Sequence, residues 1–195
     1  MKLGIIDYGA GNTQSVKYAL DRIGCKSVLT DDPFVLEGVD GVIFPGVGHA
    51  AHAMKVLNEK GLVSLIKGLK QPVLGICLGM QLLCEITEEG NEQGIGIVKE
   101  KVKRFVLDIP VPHMGWNQVS HKEVSLFENI PNNAYFYFVH SYFVPFFKNA
   151  IGWTDYGATF TAAFQKDNFY ACQFHPEKSG KAGEQLLKNF IKICE

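Results

Sequence analysis

Apolar and polar positions along the first half of the chain follow two alternating periods. Short apolar runs at Lys2–Ile6, Ser27–Thr30, Gly41–Phe44 and Pro72–Ile76 have the length of buried strands. Between the first two, Val16, Ala19, Leu20 and Ile23 recur at the spacing of one helix face, with Asn12 placed to cap it and Gly24 to end it. Asp32-Pro33 reads as the cap and first residue of a short helix, and helical stretches follow at Ala50–Leu57 and Leu62–Leu69, separated by Gly61. Strands alternating with helices predict an α/β fold with a mostly parallel central sheet and helices on both faces. Ligands of such sheets sit at the carboxyl ends of the strands, which singles out the turns 7–12, 45–48 and 77–79.

From Gly94 the pattern changes to successive short strands: Ile95–Lys99, Val102–Val106, Gly115–Val119, Ala134–Val144, Ala158–Gln165 and Phe169–Phe174. Gln165-Lys166-Asp167-Asn168 reads as a hairpin turn. A last helix carries Leu186, Leu187, Phe190, Ile191 and Cys194 on one face. No linker, repeat or low-complexity tract interrupts the chain. The expectation is therefore one domain over residues 1–195, its second half adding an antiparallel, β-rich extension to the sheet of the first.

Composition narrows the function without naming it. A chain of 195 residues, 47% hydrophobic and 20% charged, is long enough to bury about 70% of its unfolded surface in one core. Nineteen basic against twenty acidic residues leave no electrostatic case for nucleic acid or a membrane surface. The start of the chain has no signal-type apolar core, and no run approaches a membrane span. Five cysteines without a C-x-x-C pair argue against a disulfide framework and a structural zinc site, and predict a reducing cytoplasm.

One of those cysteines stands apart. In Gln71–Leu83, QPVLGICLGMQLL, an apolar strand passes through Gly75-Ile76-Cys77-Leu78-Gly79 into a helical pattern carried by Met80, Leu83 and Cys84. This is the thiol counterpart of the G-x-S-x-G nucleophile elbow. A buried cysteine is more often a small core residue than a nucleophile. Two flanking glycines change that reading, because a turn so tight leaves no room for side chains two residues either side of the sulfur. The N–H groups and dipole of the following helix favour a thiolate there.

A thiol of ordinary pKa is only about 3% ionised at pH 7, so a cysteine nucleophile needs a base. Gln173-Phe174-His175-Pro176-Glu177 supplies a candidate. Strand alternation puts Phe169, Ala171, Gln173 and His175 on one face, and Pro176 ends the strand. Glu177 is near enough to receive one imidazole N–H and fix the tautomer, leaving the other nitrogen for the sulfur's proton. His49, His52, His113, His121 and His140 earn no catalytic role on spacing. Acyl chemistry would also need an oxyanion hole, which the amide of Leu78 and one from the Gly46-Val47-Gly48 loop can provide. Gln81, one helical turn after Cys77, projects on the same side.

GICLGMQLL and FHPEKS, in this order and with PGVG upstream, resemble the class I (triad) glutamine amidotransferases. DYGAGN at 7–12, PHMGWN at 112–117 and FVHSY at 138–142 extend the resemblance to the glutaminase subunits of imidazole glycerol phosphate synthases. The likeness spans almost the whole chain. It implies Cys77 as the nucleophile of a glutamyl thioester, His175 as base and acid, and Glu177 as its orienter. It implies an oxyanion hole from the Val47 and Leu78 amides, and glutamine held by Gly48, Gln81, Ser141 and Tyr142. It further implies a (β/α)8 cyclase partner in a heterodimer, which takes the ammonia in histidine biosynthesis, with Tyr8, Asn12, Trp116, Tyr137 and Lys178 in partner-facing segments. No cofactor and no metal are implied.

One departure is visible: after PGVG the family commonly has a small residue and Phe, whereas this chain has His49-Ala50-Ala51-His52. Subunits of this lineage also feed other ammonia-using synthases, including sugar-modifying ones. Two further alternatives are a Cys–His–acid peptidase on the same scaffold and a catalytically silent subunit. Gln81 with Ser141-Tyr142 speaks against the first, and the intact Cys77, His175 and Glu177 against the second.

Overall fold

The computed structural model describes residues 1–9, 11–106 and 109–195. In chain order the elements are β1 (Lys2–Ile6), α1 (Thr13–Arg22), β2 (Lys26–Thr30), α2 (Pro33–Glu37), β3 (Gly41–Gly46), α3 (Ala50–Glu59), α4 (Leu62–Gly68), β4 (Val73–Cys77) and α5 (Leu78–Leu82). Then follow β5 (Cys84–Thr87), β6 (Glu92–Gln93), β7 (Val98–Arg104), β8 (His113–His121), β9 (Ala134–His140), β10 (Tyr142–Phe143), β11 (Ala150–Asp155), β12 (Thr159–Lys166), β13 (Phe169–Cys172) and α6 (Gly180–Ile193).

Among the described residues, nine strands join in the order β2-β1-β3-β4-β13-β12-β11-β8-β9, and a smaller sheet runs β10-β7-β5-β6. The strands β2, β1, β3, β4 and β13 are parallel. From β13 outward through β12, β11, β8 and β9 every pairing is antiparallel. The expected α/β sheet with an antiparallel extension is the one observed. β13 is its hinge, a late strand laid parallel to β4 with Cys172 beside Ile76. That pairing brings the FHPEKS segment to the end of the strand that carries Cys77.

The parallel strands are covered on both faces, so their period of two separates two cores instead of core from solvent. Leu3, Ile5, Ile43, Leu74 and Ile76 pack with Leu20 of α1 and Leu187 and Phe190 of α6. Ile6, Val42, Phe44 and Val73 face the other way, onto Leu36 of α2, Leu57 of α3 and Ile66 of α4. Asp32 caps α2 through its side chain, which accepts from the Phe34 amide. Asn12 stands at the N-cap of α1 but its side chain makes no capping bond, against the sequence expectation.

Four other expectations need correction. The helix after Cys77 stops at Leu82, and Cys84 begins a strand. Its terminal carbonyls are taken by the next segment, with Ile95 N–H bonding to Leu82, Ile97 N–H to Leu83 and Gly96 N–H to Cys84. Those amides are thereby withdrawn from the strand expected at Ile95–Lys99, and β7 runs instead through Val98–Arg104. The single strand expected at Ala134–Val144 breaks at Ser141, where the chain leaves the large sheet for the small one. β11 went unread because Gly152 interrupts it. A Cβ there would lie 3.1 Å from the Phe127 ring, and the register shifts on both sides of it.

Candidate active site

Cys77 ends β4 with φ 53° and ψ −108°, a left-handed conformation costly for a residue with a side chain. The two glycines make room for it. A Cβ on Gly75 would stand 2.9 Å from Leu83 and 3.1 Å from the Gly79 backbone, and one on Gly79 would run into the Phe44 carbonyl. The pattern Gly-x-Cys-x-Gly is thus the signature of α5 packed hard against β3 and β4, with the strained cysteine at the corner.

His175 follows β13 and opens a 3-10 turn, Pro176–Lys178. Its backbone is pinned twice: its N–H donates to the Tyr137 carbonyl at 2.9 Å, and its carbonyl accepts from the Ser179 hydroxyl at 2.6 Å. Nδ1 donates to Glu177 Oε1 at 2.8 Å, with both side chains at most 2% exposed. That bond fixes the tautomer and leaves Nε2, which has no hydrogen-bond partner among the described residues, facing the sulfur's side. Burial opposes a charge on this ring, but the Cys77 sulfur and the Glu177 carboxylate outweigh it and push its pKa up to about 10.

A cavity of about 320 Å³ opens over Cys77. Its lining includes Val47, Gly48, Cys77, Leu78, Gln81, Ser141, Tyr142 and His175, so the structure gathers every expected catalytic and substrate residue except Glu177, which stands behind His175. Four lining residues were missed by sequence reasoning: Glu89, Pro112, Val139 and His140. Glu89 comes from the polar turn 88–91 that carries no motif, and its Oε2 accepts from the Ala50 amide at the start of α3. His140 belongs to a buried pair. Its Nδ1 donates to the Tyr142 carbonyl at 2.7 Å, so its Nε2 must accept, and His113 Nδ1 lies 3.1 Å from it. Burial holds both rings neutral, His140 at a pKa of about 3 and His113 at about 4.

The PGVG loop is held from beneath. Tyr8, 1% exposed, rests on Phe44 with ring centroids 5.7 Å apart and donates its hydroxyl to the Pro45 carbonyl at 3.1 Å. Tyr8, expected in a partner-facing segment, keeps its own side chain beneath this loop. Gly46 is required above it, since a Cβ would come within 2.7 Å of that hydroxyl. The unusual His49 serves as the N-cap of α3, its Nδ1 accepting from the Ala51 amide. Asn12 is half-buried near Glu177. Trp116, 55% exposed, Tyr137 and Lys178 cluster on one surface, with Trp116 edge-on to Tyr137 and the Lys178 ammonium 5.9 Å from the Tyr137 ring.

A strained cysteine at a strand end, a buried imidazole oriented by a carboxylate and a flanking cavity thus meet at the carboxyl edge of the parallel strands. The comparison with known families agrees: residues 4–194 match the model described as glutamine amidotransferase class-I, and the chain belongs to that family. It is similar over its full length to the imidazole glycerol phosphate synthase subunit HisH of Bacteroides fragilis (strain YCH46), 52% identical over 196 residues that cover 99% of this chain and 100% of that one. The HisH protein of Yersinia pseudotuberculosis serotype I is 48% identical with the same coverage. Among solved structures, a crystal structure described as glutamine amidotransferase superposes with a TM-score of 0.77 at 18% identity, covering 98% of each chain. A glutamine amidotransferase from Thermotoga maritima gives 0.63 at 17%, covering 98% of this chain and 83% of that chain. At those identities the structures speak for the fold. Among the described residues, no helix is long and apolar enough to cross a membrane.

Proposed function

We propose that this chain is the glutaminase subunit of an imidazole glycerol phosphate synthase, hydrolysing glutamine and passing the ammonia to a (β/α)8 cyclase partner in histidine biosynthesis. The observation that carries the reading is the buried His175 between Glu177 and the Cys77 sulfur, at the edge of a cavity sized for a small substrate. The full-length likeness to subunits of that synthase supports the choice of pathway and the presence of a partner subunit.

The steps use groups already described. The Cys77 sulfur attacks the carboxamide carbon of glutamine, forming a C–S bond, and the oxyanion is received by the Val47 and Leu78 amides. His175 gives its proton to the leaving nitrogen, the C–N bond breaks, and ammonia departs. Neutral His175 then takes a proton from water, whose oxygen attacks the thioester. The C–S bond breaks, releasing glutamate and restoring the thiolate–imidazolium pair. Glu177 keeps the ring aligned and offsets its charge throughout. Glu89, the carboxylate in the cavity lining, suits the α-ammonium end of the substrate, and Gly48, Ser141 and Tyr142 flank the carboxylate end. Trp116, Tyr137 and Lys178 make the partner-facing surface.

Two measurements test this. A glutamine-analogue electrophile should label Cys77 stoichiometrically, and no labelling overturns the glutaminase reading. Mixed with the histidine-pathway cyclase, the chain should let glutamine replace ammonia, with little glutaminase activity before mixing. Full glutaminase speed in isolation, indifferent to the cyclase, would overturn the coupling.

A further inference from the structure

Gln173 is fully buried, yet neither fold nor triad explains a carboxamide there. Its Nε2 donates to the Cys77 sulfur at 3.7 Å, and its Oε1 accepts from Gln81 Nε2 at 2.9 Å. The directions follow from one fixed point. The Tyr142 carbonyl can only accept, so the group facing it at 2.8 Å must be the Gln81 nitrogen. That nitrogen has two hydrogens, and the second can only go to an acceptor, which orients the Gln173 carboxamide with its oxygen toward Gln81. The Gln173 nitrogen is then left aimed at sulfur. The fixed point is itself braced, since His140 Nδ1 donates to the same Tyr142 carbonyl.

We propose that Gln173 is a positioning residue for the reaction of Cys77, handing one N–H to the sulfur and holding Gln81 with its oxygen, so that nucleophile and substrate cavity are set by one buried side chain. The inference rests on Cys77 being the nucleophile. Besides His175, the sulfur has two hydrogen-bond neighbours of opposite character among the described residues: the Val139 carbonyl, 3.9 Å away, can bond only the thiol, whereas the Gln173 N–H bonds the thiolate. Gln81, with both N–H groups spent, offers the cavity only its carbonyl oxygen. It therefore serves as an acceptor for a substrate N–H.

The test uses the full chain and the pH profile of Cys77 alkylation by iodoacetamide, read at that residue by mass spectrometry. Gln173→Met removes both bonds at similar length. Its profile should move up by about one pH unit, so that on the rising limb of the wild-type profile alkylation slows by up to about tenfold. Gln173→Glu keeps the acceptor for Gln81 but turns an oxygen toward the sulfur, and its profile should move further. In the complex with the cyclase both should lower kcat for glutamine more than they raise KM. Folded variants that alkylate along the wild-type profile overturn the proposal. If neither variant folds, Gln81→Met decides, because Gln173 stays but loses its orienter. A smaller upward shift supports the proposal, and an unchanged profile overturns it. Labelling of wild-type Cys77 by the glutamine analogue, alongside unshifted variants, would sink the positioning role while leaving the glutaminase reading intact.

Discussion

Two groups of buried imidazoles meet at the same cavity and are driven in opposite directions. His175 is 2% exposed, His113 3% and His140 6%, so burial alone would treat them alike. His175 nevertheless rises to about 10, while His113 falls to about 4 and His140 to about 3. The difference lies in what faces each ring. A sulfur and a carboxylate bracket His175, whereas His140 has a backbone carbonyl on one side and a second imidazole on the other. Desolvation sets the penalty and the partners decide whether it is overcome. One residue type thereby yields a proton donor and, a few residues along the cavity wall, a neutral spacer with a fixed tautomer.

The largest effect that separates the two groups is on glutamine turnover. His175→Ala should reduce glutamine-dependent synthesis on the order of 10³-fold or more, while ammonia-dependent synthesis by the proposed cyclase partner is retained. His140→Asn keeps a nitrogen near the Tyr142 carbonyl and should cost on the order of tenfold, because it acts only through the pocket wall. Equal losses in a glutamate-release assay would erase the distinction. Between them lies Glu177→Gln, which keeps a hydrogen-bonding group against Nδ1 but withdraws the negative charge. A fall on the order of 10² in kcat with little change in KM is expected.

The two groups also differ in how far the sequence disclosed them. Cys77, His175 and Glu177 announce themselves through local patterns, a pair of glycines around a thiol and a proline after a histidine, since each reflects strain or strand termination that only certain residues tolerate. The Gly46–Gly48 loop and Gln81 followed from where a strand-end loop and the next helical turn must lie, whereas the particular roles of Val47, Gly48, Ser141 and Tyr142 came from the family resemblance. Parallel strands and the antiparallel extension were legible for the same reason: period and punctuation are local. The His113–His140 pair was not, because the two residues come from β8 and β9 and meet only through cross-strand register, His113 opposite His140. Gln173 was placed on the correct face but its partner, Gln81, lies 92 residues away. The burial of the Tyr8 side chain was not legible, because its own turn gives no hint of the contacts with Phe44 and Pro45. What stayed hidden is consistently what long-range pairing creates.

The smallest and most diagnostic effect is on stability against pH. For His113 and His140 the unfolded rings take up protons near pH 6.5 while the folded ones wait until about 4 and 3. The unfolded state therefore binds more protons in that window, and stability falls as pH drops through it, by up to about 1.4 kcal/mol per pH unit for each ring. His175 has the opposite sign. Its raised value makes a contribution that is complete below about pH 6.5 and is lost as pH climbs through about 10. Urea midpoints across pH 4.5 to 9.5 should thus show an acid limb flattened in His140→Asn and an alkaline limb flattened in His175→Ala, each variant leaving the other limb in place. A variant that flattened both limbs would mean that the two groups titrate as one coupled network through the shared cavity wall, and one that flattened neither would mean that its ring does not set the limb assigned to it. In either case the contrast between charged donor and neutral spacer would have to be abandoned.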